Sequence, residues 1–133
     1  MRHLVAQEGM GDRVEVDSAG TGDWHVGDPP DRRARAVGQA RGIPLSGEAR
    51  QFTADDFGRY DHVIAMDRSN RDDLQRMART PAERAKVRLL RSFDASAPSD
   101  ADVPDPYYGG DDGFELVLDI VERSCKRLLE SIR

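Results

Sequence analysis

A chain of 133 residues is the size of one domain, and residues 1–133 are read as a single unit. With 25 acidic against 20 basic side chains, a net charge of −5 supplies no basic face for nucleic acid, and no apolar run reaches the length of a bilayer span. The one cysteine, Cys125, excludes an internal disulfide framework or dithiol cycle and fits a reducing, cytoplasmic setting.

Aromatic residues make up only 6%, so the core must rest on Leu, Val, Ile, Met and Ala. The opening MRHLVAQEG is too short and too polar for a signal peptide. Residues 3–9 read as the end of a helix, with Leu4 and Val5 inward and Gly9 as its stop. Val14 and Val16 then alternate as a strand, and small residues open a loop over 18–22 that leads to Trp24, the only tryptophan. A helix follows, with Asp28 as its cap, Pro29 and Pro30 in its first turn, and Gly42 and Pro44 at its end. A helical turn is expected over 54–58. Next comes a buried strand over 63–66 and a helix capped by Asp67, with Leu74, Met77 and Ala78 inward and Pro81 as its stop. Residues 86–90 read as another strand, and 95–112 as a polar loop. Phe114, Val117, Leu118, Val121, Cys125, Leu128 and Ile132 then recur at helical spacing.

Strands alternating with helices point to an α/β domain, a parallel sheet flanked by helices. Catalytic loops in such folds gather at the carboxyl ends of the strands, so the loops at 18–24, 67–70 and around Asp105 should share one edge. Asp105 stands between Pro104 and Pro106, which bias the segment toward extended backbone. Such stiffness suits an acid or base held within hydrogen-bond reach of a reacting atom. Tyr107 and Tyr108 offer flat apolar surface with a polar tip. On composition alone a plain surface turn is the better account of an Asp-Pro pair, a balance the tyrosines shift without overturning, and nothing local separates acid from base or catalyst from turn former.

DPYYGGDDGFELVLDIVERSCKRLL, residues 105–129, resembles the carboxyl-terminal signature of the low-molecular-weight protein-tyrosine phosphatases. VDSAGTGDWHVGDPPDRRA resembles that family's second strand and the loop after it, and residues 41–74 match its middle in order and spacing. The resemblance implies a three-layer, flavodoxin-like fold and no cofactor. It also implies hydrolysis of phosphotyrosine protein or aryl phosphate through a phosphocysteine intermediate. Under it Asp105 is the general acid, Trp24, Tyr107 and Tyr108 line the substrate cleft, and Ser18, Asp67 and Asn70 support the site. The oligomeric state stays open.

The family's Cys-x5-Arg nucleophile loop does not occur in these 133 residues, because six positions after Cys125 stands Ser131. Cys125 lies on the apolar stripe of the last helix, the place of a structural thiol. The opening residues resemble the middle of the family's first helix, so the expectation is an amino-terminally truncated domain lacking the first strand, with Met1 internal to a longer protein. A missing central strand would leave two rows of backbone groups unpaired, at roughly 1–3 kcal/mol for each buried group, unless the outer strands close up. The family's histidine after the serine matched by Ser46 is replaced by Gly47. His3, His25 and His62 have no metal-ligand spacing. The aspartates at 94, 100, 102, 105, 111 and 112 read as a solvated loop that would favour basic substrate flanks if it rims the cleft. Arginines 32, 33, 35 and 41 read as the polar face of a helix. Competing readings are a catalytically inactive binding protein, an arsenate reductase of the same fold and a flavin-binding sheet; a lone buried cysteine and the lack of a flavin phosphate loop give the last two little support.

Overall fold

The computed structural model describes residues 1–22, 26–29, 32–43, 45, 47–98, 100–104 and 110–132. Helix α1 (Arg2–Gln7) opens the chain and ends at Gly9, whose φ of +66° only glycine adopts readily. Helix α2 is described over Arg32–Ala40, and the Asp28 carbonyl ahead of it accepts the Ala49 N–H at 2.8 Å. A short helix α3 (Asp56–Arg59) precedes strand β1 (Val63–Ala65), which pairs in parallel with β2 (Val87–Leu89) in the register Val63↔Val87 and Ala65↔Leu89.

Two helices cross over between the strands. Asp67 sits in extended backbone and accepts the Asn70 N–H at 2.7 Å, capping α4 (Arg68–Met77). Pro81, expected to stop that helix, instead begins α5 (Pro81–Lys86), because Thr80 caps the Glu83 N–H at 3.1 Å and proline suits a first helical turn. A 3₁₀ turn (Leu90–Phe93) follows β2, and α6 (Gly110–Ile132) closes the chain.

The layers follow from the alternation along the strands. Val63, Ala65, Val87 and Leu89 face Phe52, Phe57, Leu74 and Ala78 on one side, with Phe52 and Phe57 edge to face at 5.1 Å. Ile64 faces the other way, toward Leu90, Cys125 and Leu128, and so toward α6. A third cluster joins α1 to the end of α6 through Val5, Met10 and Leu129. Arg41, expected on a solvated face, instead bonds Glu115, Asp119 and Glu122 of α6, the latter two at 2.9 and 3.3 Å, and clasps α2 to that helix. Arg33 likewise stacks over Phe114, 4.8 Å from the ring centroid.

The strand expected at Val14 and Val16 does not form. Both side chains pack against the α1–α6 cluster, but the backbone of 14–17 joins no ladder, and the outer segments have not closed up. The physical reason is the lack of a partner: among the described residues, no backbone group outside β2 pairs with Val63, Ile64 or Ala65. Arg2 Nε donates to the Val16 carbonyl at 3.1 Å in place of a strand neighbour, and among the described residues the only bridge outside β1 and β2 is Gly20↔Gln51.

Candidate active site

The chain leaving β1 runs through Met66 into the Asp67 cap, and a second segment is tied down beside it. Val103 N–H donates to the Met66 carbonyl at 2.8 Å. The Asp102 carboxylate accepts the Arg68 backbone N–H at 2.8 Å and the Arg68 guanidinium at 3.2 and 3.3 Å. Arg91 donates to the Asp102 carbonyl at 3.0 Å, and Arg71 pairs with Asp100 at 3.0 Å. Residues 100–103 are therefore strapped across the start of α4, at the carboxyl end of β1. The Arg68 side chain is the main cause that holds the Asp102 carboxyl below its ordinary range. A shallow hollow of about 550 Å³ opens here, lined by Arg68, Ser69, Arg71, Asp72, Arg76 and Asp102.

Ser18 stands on a different anchor. Asp17 accepts the Ser18 N–H at 2.8 Å, Arg50 Nε at 3.0 Å, the Tyr60 hydroxyl at 3.3 Å and Arg2 at 3.4 Å. The Ser18 N–H is the largest contributor to the lowered pKa of Asp17. Arg50 also reaches Asp56 at 3.0 Å, and Asp56 accepts the Thr53 N–H at 2.8 Å. Burial works to raise the Asp56 pKa, but the Thr53 and Arg50 hydrogen bonds outweigh it and the net shift is downward. Gly20 exchanges backbone hydrogen bonds of 2.8 Å with Arg50 and Phe52, which fastens the 18–22 loop.

Of the residues singled out from sequence, Asp67 and Asn70 meet through the helix cap, a local role that satisfies an otherwise unpaired N–H. Ser18 is exposed and joins neither of them by a hydrogen bond. Asp105, Trp24, Tyr107 and Tyr108 lie outside the described residues, as do His25 and Ser46. Gly47 takes φ +101°, a conformation that disfavours the family's histidine, so that departure is built into the backbone. Cys125 is buried at 5% exposure beside Leu90 and Leu128, and burial pushes its thiol up, away from the thiolate a nucleophile requires. Among the described residues, no group of three or more His, Cys, Asp or Glu is placed to hold a metal ion, and no helix is long and apolar enough to cross a membrane.

The acidic run is not a solvated loop throughout. Asp94 is shielded from solvent and accepts Arg123 at 3.0 and 3.1 Å, the Ser96 hydroxyl at 2.7 Å and the Ser96 N–H at 3.1 Å. Arg123 is the chief cause that holds this carboxyl far below the usual range. Asp100 and Asp102 are paired with arginines too, so these three charges offer no free negative rim. The Asp-x-Ser turn at 94–96 is the local signal that marks Asp94 as a bonded carboxylate; the partner on α6 is 29 residues away and leaves no local trace.

A family model described as low molecular weight phosphotyrosine protein phosphatase matches residues 1–133. The low molecular weight protein-tyrosine-phosphatase of Streptomyces coelicolor is 50% identical over 133 residues, covering 99% of this chain and 81% of that protein. The Homo sapiens low molecular weight phosphotyrosine protein phosphatase is 38% identical over 130 residues, covering 97% of this chain and 81% of that protein. The crystal structure of a protein tyrosine phosphatase from Entamoeba histolytica, with Hepes in its active site, matches with a TM-score of 0.91 at 31% identity over 98% of this chain and 83% of that one.

Proposed function

The chain belongs to the low molecular weight phosphotyrosine protein phosphatase family, and from that membership we propose that it serves phosphotyrosine hydrolysis with Asp105 as the general acid. A cysteine thiolate attacks phosphorus, forming the S–P bond as the P–O bond to the aryl group breaks. Asp105 gives its proton to the departing phenolate. The Asp105 carboxylate then takes a proton from water as that water attacks phosphorus, the S–P bond breaks, and inorganic phosphate leaves. Trp24, Tyr107 and Tyr108 form the aromatic walls of the cleft, while Ser18, Asp67 and Asn70 support it. The substrate is a phosphotyrosine protein or an aryl phosphate.

The observation that carries this reading is the strap at 100–103. It ties the chain to the carboxyl end of β1 two residues before Asp105, the edge where α/β folds place their chemistry. The nucleophile and its arginine are assigned to neither Cys125 nor any other residue of the 133. Cys125 is buried with a raised pKa, and no Cys-x5-Arg stretch occurs. The same observation favours a second reading, in which residues 1–133 alone bind phosphotyrosine partners without turning them over.

The two readings separate in one experiment. Hydrolysis of a phosphotyrosine peptide is measured for residues 1–133 alone and for the same residues behind a strand and Cys-x5-Arg loop, with and without a chelator. The phosphatase reading expects no turnover from the first, and metal-independent turnover from the second that survives Cys125→Ser. A folded second protein without turnover would leave only the binding reading.

A further inference from the structure

We propose that Asp102 is a positioning residue for the proton donor, a latch that ties residues 100–103, just ahead of Asp105, to the start of α4; the inference rests on the reading of Asp105 given above. Asp102 is joined on both sides of its own peptide unit. Its carboxylate spans the Arg68 N–H and guanidinium, while its carbonyl accepts Arg91 Nη1. The next residue, Val103, donates to Met66 in the manner of one more strand bond at the end of β1. On the other side, Asp100 turns the chain at φ +59°, in the left-handed region that aspartate tolerates better than most residues, and bonds Arg71 there.

These contacts reach three separate elements: the start of α4, the 3₁₀ turn after β2 and the exit of β1. A salt bridge that only fastened one helix end would need none of the other two. Two peptide units separate Val103 from Asp105, so the strap fixes the base from which the acid is presented. General acid catalysis depends on that placement, because a shift of about 1 Å can cost on the order of 10²-fold. The consequence is selective. A poor leaving group such as phenolate needs its proton in the transition state, whereas 4-nitrophenolate leaves without much help.

The test uses residues 1–133 placed behind a strand and Cys-x5-Arg loop, and the Asp102→Ala, Asp102→Asn and Arg68→Gln variants of that protein, with phenyl phosphate and 4-nitrophenyl phosphate as substrates. The expected result for Asp102→Ala is a fall in kcat/KM, which reports the step in which the aryl group leaves, of roughly 10- to 100-fold on phenyl phosphate and a much smaller fall on 4-nitrophenyl phosphate. Asp102→Asn keeps an oxygen for the Arg68 N–H and should recover much of the loss. Arg68→Gln is the milder lesion if Asp102→Ala does not fold, with the same selectivity in smaller measure. The Val103 amide should exchange faster with solvent in the impaired variants. Equal losses of kcat/KM on both substrates, or unchanged kcat/KM with a faster-exchanging Val103 amide, would overturn the latch. If the unmutated protein turns over neither substrate, the phosphatase reading itself falls, and the inference with it.

Discussion

The Asp94 carboxylate has no solvent-exposed side-chain surface, yet it carries its charge because Arg123, Arg91 and Ser96 surround it. Its folded-state pKa is depressed, so its contribution to stability is complete above the ordinary carboxylate range near pH 4 and is lost as the pH falls below that range. The Asp94→Asn protein should lose about 2 kcal/mol at neutral pH, the worth of hydrogen bonds to a charged group. Its urea midpoint should also fall less steeply than that of the unmutated protein between pH 5 and pH 3. Parallel acid slopes for the two proteins would show that another carboxylate governs acid unfolding. Asp94 was hard to see in the sequence because it stands in a stretch with several other aspartates, and only the packing against α6 distinguishes it. Cys125 was readable, since its place on a helical apolar stripe already marks it as a core thiol.

Among the elements, α4 was legible from a single residue, because an aspartate in extended backbone before a polar helix is a strong cap signal. The same logic would have found α5 at Thr80-Pro81, where proline reads as a stop until the preceding threonine is weighed as a cap. The 14–17 segment carries a strand pattern that is correct for one buried face, but a pattern is no substitute for a hydrogen-bonded neighbour. Helix α2 supplies a further test of local packing. A Cβ built on Gly38 would lie 2.7 Å from the Ile43 carbonyl oxygen and 3.1 Å from Leu45, whereas one on Gly58 meets nothing within 4 Å. Alanine improves helix propensity by about 1 kcal/mol at an interior position, but overpacking costs about 1–3 kcal/mol. Gly38→Ala should therefore lower the thermal midpoint, and Gly58→Ala should leave it unchanged or raise it slightly. A stabilised Gly38→Ala protein would mean that the α2 turn relaxes freely.

For the whole molecule, the parallel α/β architecture and the family were legible because both rest on long ordered patterns: strand–helix alternation and motifs spread over the chain. The site was legible only in part. Ser18, Asp67 and Asn70 were proposed from the sequence as supports and the Asp67 cap was read there too, but the Asp17 bonds that anchor the chain at Ser18 were not. The Asp17–Arg50–Asp56 chain and the Asp102–Arg68 latch join residues 6 to 34 positions apart through side chains that no local pattern pairs. Those bonds hold the two loops to the scaffold, and the proposed chemistry depends on that anchoring. The most direct measurement is the rate of phenyl phosphate hydrolysis by residues 1–133 placed behind a strand and Cys-x5-Arg loop, and by the Asp105→Asn variant of that protein, each with a chelator present. The account predicts metal-independent turnover that drops by roughly 10²–10⁴-fold when asparagine replaces Asp105. A variant that keeps the full rate, or turnover that the chelator abolishes, would contradict it.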